Sequence, residues 1–143
     1  MLKLYIDDGV EGRSHRLKMV DPNFRYTGIA HCKSDRIAVV YSENKNSNGV
    51  SPGKPAPINP SVRPNAKKIE LIALEAINKI RMKPKAVAKQ IKDFYNGAPN
   101  IKPTYKEAYK TLLNLAPTHP VKWSEGLSKA ALDQCSEPGY NIK

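Results

Sequence analysis

Residues 4–41 read LYIDDGVEGRSHRLKMVDPNFRYTGIAHCKSDRIAVVY, and they decide the fold. Pro22 has no amide hydrogen and disfavours helical geometry in the residue before it, so a helical segment through Arg13 to Val20 should end at Asp21. Beyond it, two runs rich in β-branched and aromatic residues, Tyr26 to Cys32 and Arg36 to Tyr41, are hinged at Lys33-Ser34-Asp35. Such runs joined by a short polar loop predict a β-hairpin. The expectation is a rigid ribbon with His15 and Arg16 held just upstream of it.

Outward from this ribbon the composition changes. Residues 42–65 carry five prolines and two glycines among asparagines and serines. Such a segment buries too little apolar surface to offset its ordering entropy, so residues 44–65 read as a linker. After it, Ile69, Ile72, Ala73, Ala76, Ile77 and Ile80 recur at helical spacing and predict an amphipathic helix ending at Arg81-Met82-Lys83. Pro84 suits the first turn of a second helix, with Val87, Ala88, Ile91 and Phe94 on its buried side and Asn96-Gly97 as its stop. A third helix is expected from Thr104, capped reciprocally with Glu107 and lined inward by Ala108, Leu112 and Leu115, before Pro117. The last is capped by Ser124, turns Leu127, Ala130, Ala131 and Cys135 inward, and ends near Pro138-Gly139. Trp123 stands just outside that cap, placed to pack on the core. The fold class expected is α+β: a short helix and hairpin (residues 1–43), the linker (44–65), then four helices (66–143).

Composition bounds the function. The chain has 143 residues, a net charge of +11 and 12 prolines, with a mean hydropathy of -0.56. A single core is supported, but not a large one. The excess charge is +4 in residues 1–65 and +7 in 66–143, with no block of about five or six consecutive like charges to mark a nucleic-acid tail. A general attraction to anionic surfaces is expected, screened beyond about 8 Å at physiological salt. No run of apolar residues is long enough to cross a membrane, and residues 1–10 lack the apolar core of a signal peptide. Cys32 and Cys135 allow at most one internal bridge, and the sequence leaves open whether they are bonded or are two buried thiols.

Two groups of residues resemble a known family. Asp7-Asp8-Gly9-Val10, Arg13-Ser14-His15-Arg16, Asp21-Pro22-Asn23-Phe24 and Gly28-Ile29-Ala30 resemble the C-terminal third of the CAP (SCP-like) superfamily. That superfamily includes plant pathogenesis-related proteins, insect venom allergens and cysteine-rich secretory proteins. Asn78-Lys-Ile-Arg81-x-x-Pro84 and Val121-Lys-Trp123-Ser124-x-x-Leu127-Ser-Lys-Ala130-Ala131 look like the opening of the same domain. The order here is the reverse of the family's. It suits a piece of a tandem array, with the tail of one domain and the head of the next, which we favour, or a circular permutant. The family's Gly-Glu-Asn motif has no counterpart.

The resemblance implies an α-β-α layered domain of an extracellular, non-catalytic protein that binds sterols, other small hydrophobic molecules or protein partners. It implies a cavity position for His15, and structural positions for Arg16, Asn78, Arg81, Trp123 and Ser124. In many members the matching histidine joins a second histidine and two glutamates around a divalent cation such as zinc, chemistry suited to neutral imidazole and carboxylates. Here Ile77-Asn78 stands where the family has His-Asn, and Glu70, Glu75 and Glu107 match neither glutamate, so no cofactor is expected. From the residues alone, His15 also suits a structural role beside the hairpin, His31 an exposed strand position, and His119 a turn. Asp7-Asp8-Gly9 suits a turn or cap better than an acid–base pair. No nucleophile elbow or phosphate loop is present, so no residue set supports an enzyme. The other readings are a metal-dependent hydrolase using His15 and a basic adaptor for anionic surfaces.

Overall fold

A computed structural model describes residues 11–32, 36–44, 66–96 and 103–136. The Asp7-Asp8-Gly9 turn, the hinge at residues 33–35, nearly all of the 44–65 linker, Gly97 and the Pro138-Gly139 terminus lie outside them. The fold is α+β. Its residues group into two compact units, Met1–Pro22 with Ala76–Pro120 and Asn23–Glu75 with Val121–Lys143.

The second unit holds the sheet. Strands β1 (Tyr26–His31) and β2 (Ile37–Ser42) pair antiparallel, with Tyr26 opposite Ser42, Ile29 opposite Val39 and His31 opposite Ile37. The hairpin is therefore present where residue type and the polar hinge place it. Its ends are closed by Cys32 N–H to the Arg36 carbonyl at 2.7 Å and Arg25 N–H to the Ser42 carbonyl at 3.0 Å. A two-residue strand, β3 (Lys122–Trp123), adds in parallel on the other side of β1, giving the order β2-β1-β3. This strand is not anticipated from the sequence. It is too short for a periodic signal and exists only through its ladder with β1, where Lys122 N–H donates to Arg25 and Ser124 N–H to Thr27.

Because β1 is central, four consecutive residues, Thr27 to Ala30, are buried. Alternation puts Gly28 and Ala30 on one face of the strand. Both are small, so a helix can approach the sheet closely there. That helix is α5 (Glu125–Ser136), numbered after the four helices that precede it, and it packs on β1 and β2. A Cβ at Gly28 would overlap the backbone of Leu127 and Ser128, so glycine is a steric requirement at this position. Ser124 caps α5: its Oγ accepts from the Leu127 N–H at 3.4 Å, and its carbonyl receives the Ser128 N–H at 2.9 Å. Leu127 and Ala131 are buried, while Ala130 and Cys135 are half-buried.

The first unit is helical. Helix α1 (Ser14–Val20) ends at Asp21 as Pro22 requires. Helix α2 (Ala66–Met82) begins in the second unit and ends in the first. Lys83 alone separates it from α3 (Pro84–Asn96), whose first residue, Pro84, is buried where its missing N–H costs nothing. Helix α4 (Pro103–Asn114) packs against α3. Val87, Ala88, Ile91, Ala108 and Leu112 form the inward stripes.

Two inward assignments from periodicity are corrected. Ile72 is 55% exposed, because the buried stripe of α2 is centred on Ala73, Ile77, Ile80 and Arg81, which rotates Ile72 out. Phe94 is 64% exposed at the flank of its stripe, and stacks on Tyr105 instead. Leu115, just past the end of α4, is half-buried, as are Ile69 and Ala76 on α2.

Candidate functional site

The buried polar side chains are the informative ones, since burial of an unpaired polar group is costly. Arg81 is 0% exposed and sits at the end of α2. Its Nε donates to the His119 carbonyl, and its Nη1 donates to the carbonyls of Met19 and Asp21, each at 2.9 Å. Met19 and Asp21 stand at the C-terminus of α1, where helical carbonyls have no partner within the helix. A guanidinium fits because it stays charged and spreads several donors over a rigid fork. In return, the Arg81 carbonyl accepts the Thr118 N–H at 2.8 Å. Arg81 thus ties the end of α1 to the loop after α4.

His119 completes this knot. Its Nε2 lies 2.8 Å from the Pro22 carbonyl and its Nδ1 3.3 Å from the Pro120 carbonyl; both carbonyls only accept, and the shorter contact is a hydrogen bond in the tautomer that carries its proton on Nε2. Read from sequence as a turn residue, His119 in fact cross-links the loop to the residue that stops α1.

A second cluster lies on α1 and α4. Arg16 is almost fully buried, and its Nη1 is 2.7 Å from Glu107 Oε1. Arg13 Nη2 is 3.2 Å from Glu107 Oε2. The Arg13 hydrogen bond holds the Glu107 carboxyl below the usual carboxylate range; partial burial opposes the shift, and Arg16 adds to it. The Glu107 carboxylate, expected to cap α4 with Thr104, is turned to these arginines. Arg13 reaches it from the left-handed region, with φ 53°, directly after Gly12 at φ 70°. For a non-glycine residue that conformation costs roughly 1–2 kcal/mol, and the ion pair helps to hold it.

The remaining candidates are dispersed. His15 is exposed on α1 between Arg13 and Arg16, and Asn78 is half-buried on α2. In the second unit, Trp123 is half-buried and its indole N–H donates to Glu125 Oε1 at 3.0 Å. His31 is half-buried rather than exposed, and its backbone N–H donates to Glu70 Oε1 at 3.2 Å. Glu75 is exposed. Among the described residues no three His, Cys, Asp or Glu side chains gather as metal ligands would, and no helix is long and apolar enough to cross a membrane.

Cys32 and Cys135 form a disulfide across a sequence separation of 103, with a Cα–Cα distance of 5.3 Å, inside the span such a bond needs. It fastens the end of β1 to the end of α5. The pairing was undecidable from sequence because it depends on α5 lying on the ribbon. Comparison with protein families, with curated proteins and with solved structures returned no match.

Proposed function

We propose that the chain is a non-catalytic binding module of the CAP (SCP-like) type, exported from the cell, that takes a small hydrophobic molecule such as a sterol or lipid, or a protein partner. The observation that carries this reading is the meeting of the two resembling motifs. Arg81, from Asn78-x-x-Arg81, holds the carbonyls of Met19 and Asp21, three and five residues after Arg16 of His15-Arg16. In the other unit the helix after Trp123-Ser124 lies on the ribbon that carries Gly28-Ile29-Ala30. Both contacts support treating the front and rear segments as parts of one architecture, whichever way the chain order arose.

The Cys32–Cys135 bond supports export, because such bonds persist in oxidising compartments and are rare in the cytosol. The test is titration of the full chain with a fluorescent sterol and with fatty acids. Saturable one-to-one binding is expected, and absence of binding to every ligand would remove the small-molecule part of the reading. Zinc titration of the protein and of His15→Ala separates the binding module from a metal-dependent hydrolase. Equal response in both is expected, whereas tight binding lost in His15→Ala would favour the hydrolase.

A further inference from the structure

The outer face of the α3–α4 pair combines exposed apolar surface with positive charge. Phe94 is 64% exposed and stacks on Tyr105, with ring centroids 6.2 Å apart and planes 12° apart. Tyr105, Tyr109 and Leu113 follow at four-residue spacing along α4, and so share one side of that helix. Leu113 is 39% exposed. Lys106 and Lys110, each next in sequence to a tyrosine of this row, form the adjoining exposed ridge.

On α4 the charge beside this row is one-sided: Lys106 and Lys110 adjoin it, and Glu107 is turned away to Arg13 and Arg16. The α4 ridge is left cationic. An aromatic and aliphatic row beside flexible lysines matches the boundary of a lipid bilayer. There, rings and aliphatic chains enter the headgroup region while ammonium groups meet anionic headgroups.

We propose that this face, centred on Phe94, Leu113, Lys106 and Lys110, docks on an anionic lipid surface. A single-stranded nucleic acid would also meet aromatics and cations here. Leu113, however, offers a base no stacking plane, and one face of Phe94 is already occupied by Tyr105. The proposal does not depend on the family reading, since it uses only this helical face.

The test is co-sedimentation of the full chain with phosphatidylcholine vesicles, with and without phosphatidylserine. The wild type should bind only the phosphatidylserine vesicles. Lys106→Glu with Lys110→Glu should weaken binding by about twenty-five-fold or more, at about five-fold for each lysine lost. Phe94→Ser, at a position 64% exposed, should weaken it as well. Lys67→Glu with Lys68→Glu makes the same charge change on exposed residues of α2 and should change binding by no more than about two-fold. No binding, equal binding to both vesicle types, equal loss in both lysine pairs, or displacement from vesicles by a single-stranded oligonucleotide would each overturn the proposal. Should the Lys106/Lys110 variant lose its far-UV circular dichroism, Phe94→Ser decides: undiminished binding in that variant overturns the proposal too.

Discussion

Replacing Arg81 by leucine removes the guanidinium donors that tie the end of α1 to the loop after α4, leaving the His119 contact to Pro22 in place. The magnitude follows from the three carbonyls that the guanidinium serves, those of His119, Met19 and Asp21. Hydrogen bonds to a charged group contribute about 1.5–3 kcal/mol each, and the low end applied to all three gives about 4.5 kcal/mol. Relief from burying a charge recovers part of this, so Arg81→Leu should cost about 4 kcal/mol. Against a typical stability of about 5–15 kcal/mol that is a large fraction. Arg81→Lys keeps the charge on one nitrogen, which can reach Met19 and Asp21 but not His119 as well, and should cost about half as much. Urea unfolding followed by circular dichroism measures both. With a slope of about 2 kcal/mol per molar urea, the leucine midpoint should fall by about 2 M at an unchanged slope. A fall below about 0.5 M, or a leucine variant more stable than the lysine one, would refute the idea that these bonds hold the segments together.

Three other perturbations test separate parts of the account. Gly28→Ala puts a methyl group into the backbone of Leu127 and Ser128, forces α5 off β1, and should cost about 3 kcal/mol in urea unfolding. Cys32→Ser with Cys135→Ser opens a closure of 103 residues and should lower stability by about 3–5 kcal/mol, read as a matched fall in Tm on reduction of the wild type. Glu107 has a folded pKa depressed chiefly by Arg13, so its contribution is present above its unfolded pKa of about 4.3 and is lost as pH falls through the lower folded value. The Tm difference between wild type and Glu107→Gln should therefore be constant near neutrality and shrink in acid. Because the Glu107 side chain is 47% exposed, added salt should reduce that difference.

Backbone chemistry made much of the fold legible. Pro22 and Pro84 mark the end of α1 and the start of α3, and residue type with a polar hinge places β1 and β2. The cap at Ser124 was visible because a small hydroxyl precedes an apolar helical pattern. What failed to show was set by partners distant in the chain. Strand β3 has no local signal apart from β1. Glu107 sits where a capping carboxylate is expected, yet Arg13 and Arg16 draw it elsewhere. Arg81 looked like a polar residue at a helix end, and its burial turned the stripe so that Ile72 faces water. Of the candidate site residues, Arg16, Arg81 and Ser124 are buried in structural networks, and His15 stands exposed. A single histidine with no second ligand at metal-binding spacing in the sequence offers no pattern from which its role could be fixed.

The contact on which most of this rests is that of α5 with the ribbon, between residues about a hundred positions apart. Nuclear Overhauser effects from the Gly28 α-protons of the full chain measure it. Strong cross-peaks to the backbone protons of Leu127 and Ser128 are predicted, because the strand and helix backbones are close enough there to leave no room for a Cβ. If those protons instead show cross-peaks only to residues of their own hairpin, the front and rear segments do not pack as described.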